Sequence, residues 1–287
     1  MTSIKTALDN ARIRLETTSP SARIDAELLL AHTLNTSRSF LYAHGTDPLD
    51  DETLDAYEQY LSKRLHGMPI AYLVGTREFW SLPLRVSEDT LIPRPETELL
   101  VELTLSLLQN QDHASVLDLG TGSGAVALAL ASARPHWTIL ACDISQPALK
   151  MAKDNARLLQ LHNVTFMQSN WFESVPMQQV HAIVSNPPYL AENDPHLSQG
   201  DVRFEPKSAL TSGPEGLDDL SHIIQTSQQY LHPGGLLLLE HGSLQAEAVA
   251  ERLQASNYQS IQYWPDLQGH PRVSGGFSKQ ESTSRIV

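Results

Sequence analysis

Apolar positions change their period along the chain. In the first 75 residues they recur near helical spacing: Ile4, Leu8 and Leu15, then Ile24, Leu28 and Ala31 after Ser19-Pro20, then Leu54, Tyr57, Leu61 and Leu65 after Asp47-Pro48. This predicts three helices, the third capped by Asp50 or Asp51 and closed by Gly67, with Pro69 beyond. Between Ala71 and Ile92 the pattern turns to alternation (Phe79, Trp80, Leu82, Leu84, Val86) broken at Ser81-Leu82-Pro83, which predicts a hairpin. From Thr97 onward, short apolar runs (Val116–Leu119, Thr138–Cys142, Val164–Met167, Ala182–Val184, Leu236–Leu239) alternate with helical segments near 98–108, 125–134, 147–161, 217–230 and 245–254. Such alternation predicts an α/β domain with a doubly wound, mainly parallel sheet. A strand pair near Ser260–Trp264 and Arg272–Phe277 is expected to complete it, and the last ten residues read as a polar tail. The expected organisation is a small helical domain over 1–75, a β-hairpin linker over 76–92 and the α/β domain over 93–287.

Composition narrows the classes. Hydrophobic residues make up 41% of the 287 positions, enough for a buried core. The longest uncharged, largely apolar window runs from Leu119 to Ala133, shorter than the roughly 18 residues a membrane span needs. No apolar leader opens the chain, and the single cysteine, Cys142, excludes an internal disulfide and a cysteine-based zinc site, so a soluble cytoplasmic protein without a bound metal is expected. A net charge of −13, with no basic excess in either half, argues against a nucleic-acid binder.

Two local patterns carry chemistry. The first is Ser115-Val116-Leu117-Asp118-Leu119-Gly120-Thr121-Gly122-Ser123-Gly124, with Ala125 opening a helix. A glycine-rich turn between strand and helix lets a ligand approach the backbone and the unpaired N–H groups of the helix start. The glycines alone fit both a dinucleotide and S-adenosyl-L-methionine; Asp118 at the strand tip favours a ligand with a cationic amino-acid end. Asp143 ends the second strand 23 residues after Gly120, where a carboxylate can accept from a ribose diol, or cap the next helix. Trp171 and Asn170, after the third strand, are candidates for contact with an adenine ring.

The second pattern is Ser185-Asn186-Pro187-Pro188-Tyr189, directly after the strand His181–Val184. Two prolines stiffen the backbone and remove two donors, so local carbonyls become acceptors, and Asn186 adds another. Acceptors that hold an –NH2 group out of its conjugated plane turn its lone pair toward a methyl donor, and Tyr189 offers a face for the planar group. Asn186, Pro187 and Tyr189 are the candidate catalytic residues, and Asn186, Pro187, Pro188 and Tyr189 the candidate substrate contacts.

The chain resembles the N5-glutamine methyltransferases of class I peptide chain release factors, the PrmC/HemK family. The likeness runs through Arg23-Ile24-Asp25-Ala26-Glu27, Arg77-Glu78-Phe79-Trp80, Leu91 to Glu98, Leu117 to Gly124, Val184 to Tyr189, Asp201 to Pro206 with Ala209-Leu210, and Leu239 to Gly242. The resemblance implies a seven-stranded class I methyltransferase sheet and S-adenosyl-L-methionine held at Gly120, Thr121, Gly122, Ser123, Gly124, Asp143, Trp171 and Asn186. It further implies that Asn186 to Tyr189 receive the glutamine of a Gly-Gly-Gln loop and that the helical module helps hold the release factor. A monomer is expected. By the same likeness, the stretch from Ile92 to Glu98 lies over the cofactor; read from the residues alone, Pro95 and the two glutamates simply open a helix.

Departures are local. Asn170 stands where the family usually has Asp, and Pro271 where it has an acidic residue before Arg272-Val273. The rival readings are an N6-adenine or N4-cytosine methyltransferase, disfavoured by charge, and a nicotinamide-dependent oxidoreductase, which lacks a hydride-transfer constellation.

Overall fold

The computed structural model describes residues 2–280. Contacts divide the chain into two compact units, Met1–Thr76 with Ser198–Phe204, and Arg77–Leu197 with Glu205–Val287.

The first unit is helical: α1 (Ile4–Leu15), α2 (Ala22–Thr33), α3 (Arg38–Ala43), α4 (Asp51–Leu65) and α5 (Ile70–Val74). Three were expected; α3 and α5 have six and five residues, too few turns to leave a period in the sequence. Asp50 caps α4 by accepting from Thr53 N at 2.7 Å, and Gly67 takes a φ of 95° just past its end. Leu15, Leu29, Leu30, Tyr57 and Leu61 close the core. Arg64, nearly buried, donates to Asp25 (2.7 Å) and to Asp201 (2.9 Å), so the segment from the middle of the α/β sequence is anchored to helical residues by paired charge.

The second unit opens with the hairpin β1 (Thr76–Phe79) and β2 (Leu82–Arg85). Trp80 and Ser81 both take positive φ (53° and 59°), as a two-residue primed turn requires. Phe79 and Leu84 are buried in the core of this unit, so the segment expected as a linker is packed into the sheet domain.

Then follow α6 (Glu98–Leu107), β3 (Ser115–Leu119), α7 (Ala125–Ala133), β4 (Thr138–Asp143), α8 (Gln146–Leu158), β5 (Val164–Gln168), β6 (Val180–Ser185), α9 (Asp218–Ser227), β7 (Leu231–Glu240), α10 (Ala246–Ala255), β8 (Gln259–Pro265) and β9 (Pro271–Phe277). The seven-stranded sheet has the order β5-β4-β3-β6-β7-β9-β8, with β9 antiparallel to both neighbours and the rest parallel. Alternate side chains feed opposite layers: Val116, Leu236 and Leu238 pack with α6 and α7, whereas Leu117, Leu237 and Leu239 pack with α9 and α10. The alanine-rich α7 is buried nearly all round. The chain winds outward from β3 to β5 and returns to β6 on the other side of β3, leaving a crevice at the carboxyl ends of β3 and β6.

The end of β9 continues inward one residue further than the expected polar tail. Ser278 is buried, donating to His232 O (2.6 Å) and accepting from Gly235 N (3.0 Å); residues 281–287 of that tail lie outside the described ones.

Candidate functional site

A cavity of about 410 Å³ occupies the crevice. Gly120 and Gly122 from the turn after β3, Asp143 to Ser145 after β4, Asn170 and Trp171 after β5, and Asn186 and Pro188 after β6 line it. The sheet therefore gathers four sequence-distant strand ends at one place.

The turn is shaped by glycine. Gly120 and Gly122 have φ of 72° and 56°; a Cβ on Gly122 meets nothing within 4 Å, so its missing side chain leaves open space at the cavity wall. The Trp171 ring lies 3.4 Å from where a Gly120 Cβ would be, and its Nε1 donates to Asp219 Oδ1 at 2.9 Å, which fixes the ring plane against the turn. Asn155 braces the turn from behind: Nδ2 donates to Ser123 O (2.9 Å) and to Arg85 O (3.0 Å), and Oδ1 accepts from Arg85 N (2.8 Å).

The two strand-tip aspartates are used differently. Asp118 does not reach the cavity: it is 1% exposed and accepts from the Thr121 hydroxyl at 2.6 Å, so it ties the turn together rather than meeting a ligand. Burial pushes its carboxyl up to about 7, against the pull of those hydrogen bonds. Asp143 does line the cavity, but its oxygens already accept from Gly122 N and Ser145 N, both at 2.8 Å, which leaves it only part of a carboxylate's capacity for a diol. Burial raises its pKa as well. Cys142, at the cavity floor, is buried and its thiol is pushed up to about 12, so it serves as packing.

Thr121, Ser123 and Gly124 do not line the cavity. Thr121 faces Asp118, Ser123 is buried, and Gly124, with a φ of 88°, sits at the N-cap of α7 against Leu128 and Ala152. Asn170 reaches the cavity wall while its Nδ2 donates to Glu173 Oε1 at 2.8 Å.

The elbow after β6 is all trans. Among the described residues, no hydrogen bond ends on the Pro187 or Pro188 carbonyl, so both remain acceptors. Asn186 Nδ2 donates to Thr97 Oγ1 at 3.2 Å, which commits the donor end of its amide and leaves Oδ1 to accept. The Tyr189 carbonyl is taken by Gln245 Nε2 at 3.0 Å, which holds the far end of the elbow. Pro187 and the Tyr189 ring lie off the cavity; the Tyr189 hydroxyl faces Glu240 Oε1 at 3.5 Å, and burial raises its pKa. The face of Tyr189 thus belongs to the packing beside α9 and α10 rather than to the cavity wall.

Some lining residues carried no assigned role in the sequence. Glu88, Asp89, Thr90 and Leu91 form one rim and Pro206, Ser208 and Ala209 another. The rims are joined because Glu205, buried, accepts from Arg94 NH2 (2.5 Å) and from Ile92 N (3.3 Å). Pro95 opens the single turn Pro95–Thr97 ahead of α6, with Glu96 in it. The acidic residues Glu88, Asp89, Asp143 and Asp219 line the cavity, and among the described residues no Lys or Arg does. This lining suits a cationic ligand and disfavours a pyrophosphate.

Among the described residues, no helix is long and apolar enough to cross a membrane, and no group of three ligating side chains is placed to hold a metal.

A seven-stranded sheet of this order, with a glycine turn and an Asn-Pro-Pro-Tyr elbow at its carboxyl edge, defines an enzyme of the class I methyltransferase type. A methyltransferase from Pyrococcus furiosus has the same fold, with a TM-score of 0.52 at 17% identity over 77% of this chain and 99% of that one. Residues 6–75 match the PrmC N-terminal domain and residues 96–204 the methyltransferase small domain. The release factor glutamine methyltransferase of Shewanella oneidensis is 46% identical over 95% of each chain, and that of Escherichia coli K12 is 48% identical over 90% of this chain and 93% of the relative. This chain belongs to the release factor glutamine methyltransferase family.

Proposed function

We propose that the protein transfers a methyl group from S-adenosyl-L-methionine to the N5 side-chain nitrogen of the glutamine in the Gly-Gly-Gln loop of a class I peptide chain release factor. The observation that carries this reading is one acidic cavity shared by the glycine turn and the elbow, with Gly122 and Asn186 on its wall. S-adenosyl-L-methionine, when bound, supplies a methyl group on a sulfonium centre. Its two cationic groups fit a wall of carboxylates, and the open space over Gly122 fits the close approach of a ligand to backbone. Gly120, Gly122, Asp143, Trp171 and Asn186 are the residues proposed to hold it; Thr121, Ser123 and Gly124 shape the turn.

An amide nitrogen is a poor nucleophile because its lone pair is delocalised. Asn186 Oδ1 and the carbonyls of Pro187 and Pro188, which accept no hydrogen bond among the described residues, are proposed to accept its hydrogens, which favours a geometry with the lone pair directed at the methyl donor. The work is alignment and preorganised dipoles rather than strong base catalysis; alignment of this kind is worth roughly 7–11 kcal/mol. Tyr189 acts by setting the elbow through its carbonyl and hydroxyl.

The helical residues 1–75 are proposed to dock the release factor, the hairpin over 76–92 to join them to the catalytic domain over 93–287, and the protein to act in the cytoplasm as a monomer. A nucleic-acid substrate is disfavoured by the −13 charge and by the acidic rim. The test is incubation with a release factor, an adenine- or cytosine-bearing oligonucleotide and a labelled methyl donor. Label on the Gly-Gly-Gln glutamine, located by peptide sequencing, is expected; label on the oligonucleotide alone refutes the reading.

A further inference from the structure

Proline fixes φ and leaves ψ free, so a pair of prolines stiffens a chain only in part. A residue that precedes proline is pushed to an extended ψ as well, which covers Asn186 before Pro187 and Pro187 before Pro188. Pro188 precedes Tyr189 and has no such restraint. Its ψ is therefore the one among Asn186, Pro187 and Pro188 that local sterics leave open, and Pro188 lines the cavity.

What sets that torsion lies outside the elbow. Among the described residues, the backbone of Pro187, Pro188 and Tyr189 takes part in a single hydrogen bond, from Gln245 Nε2 to Tyr189 O at 3.0 Å. Backbone pairing resumes at Leu190, which donates to Leu210 O and accepts from Ser212 N, both at 2.9 Å. Gln245 directly precedes α10, yet its side chain caps no N–H of that helix. Its amide is spent on loops: Nε2 also donates to Gly216 O (3.1 Å) and Glu215 O (3.4 Å), and Oε1 accepts from Gly242 N (2.9 Å). Because a backbone N–H can only donate, the amide oxygen must face Gly242, and the donor end is committed to the carbonyls. Gly216, with a φ of 73°, abuts the same Tyr189 carbonyl: a Cβ there would stand 2.2 Å from the oxygen.

We propose that Gln245 is a positioning residue for methyl transfer: by holding the Tyr189 carbonyl it fixes the ψ of Pro188, and so the setting of the elbow's acceptors against the methyl donor. The contacts come from the loops after β6, before α9 and after β7, so that setting exists only once the sheet has assembled. The inference rests on the proposed role of the elbow as acceptor of the glutamine amide.

The test pairs rates with a spectrum. Gln245→Leu keeps most of the volume and removes the donor; it is expected to lower kcat on a release factor at least about tenfold, with the calorimetric affinity for S-adenosyl-L-methionine within about twofold. Gln245→Glu keeps the acceptor for Gly242 but, as a carboxylate facing carbonyls, cannot donate, and its pKa is raised by that setting. Its kcat relative to wild type is expected to match the leucine variant near about pH 8 and to rise at least about threefold by about pH 6, where a protonated carboxyl donates again. With carbonyl-labelled tyrosine and 15N-labelled leucine, the Tyr189 carbonyl resonance, read through the Leu190 amide, is expected to move in Gln245→Leu. A wild-type kcat in Gln245→Leu overturns the proposal, as does a Gln245→Glu to wild-type ratio that stays flat with pH. If the wild-type protein methylates no release factor, the functional reading fails, while the spectrum still decides the anchor: a Tyr189 carbonyl unmoved in Gln245→Leu overturns it.

Discussion

The two ends of the cavity are built from different materials. The turn after β3 is made of backbone: glycines with positive φ, N–H groups facing Asp143, and side chains such as Thr121 and Asp118 that satisfy one another inside the fold. The elbow after β6 is made of rigid covalent geometry and borrowed side chains: two trans prolines, then an amide and a phenol whose settings are decided by Thr97, Glu240 and Gln245. The comparison separates binding from chemistry. A backbone cradle can hold a ligand with little reference to distant residues, whereas the reacting group depends on contacts supplied from across the sheet.

Three substitutions bear on that division. The largest effect is expected at Asn186→Ala, which removes the acceptor: turnover should fall by about a hundred- to a thousandfold in a labelled-methyl assay, while calorimetry still detects cofactor binding. If both are lost together, the elbow also serves as cradle and the contrast fails. Next, Gly122→Val places a β-branched side chain at a φ of 56° and fills the open space beside it. Strain of about 1–3 kcal/mol predicts roughly ten- to a hundredfold weaker calorimetric affinity for S-adenosyl-L-methionine, and an unchanged affinity refutes the cradle.

The smallest effect is a change in pH dependence. Burial raises the Glu240 carboxyl from 4.5 to about 7, so the folded chain keeps a proton that the unfolded chain releases. The stability linked to this group is fully present below pH 4.5 and is lost as pH rises through about 7. Urea midpoints for the wild type should therefore decline across that window, and Glu240→Gln should flatten the decline. It should not abolish it, because Asp118, raised from 3.8 to about 7 by burial, acts in the same direction. An equally steep decline in the variant would show that Glu240 titrates normally.

Legibility followed locality. The five parallel strands were visible as short apolar runs, the central ones because burial on both faces leaves no alternation to dilute the signal. The five-residue α5 was not, since one turn cannot express a period. Asn186 was legible because two prolines beside it have few other uses. Asp118 misled, because a carboxylate at a strand tip looks alike whether it meets a ligand or, as here, the Thr121 hydroxyl. Thr97 gave no signal at all: a threonine in the short turn that leads into a helix reads as local structure, and its partner Asn186 lies 89 positions away.

By itself the sequence determined the order of the strands and longer helices, the glycine turn and the stiff elbow, because propensity, ring geometry and positive φ act within a few residues. Only the tertiary structure decided which carboxylates face the cavity, which are sealed beneath it, and which way the Asn186 amide is turned. Those choices depend on burial and on hydrogen-bond partners from other strands, and neither exists until the sheet has closed.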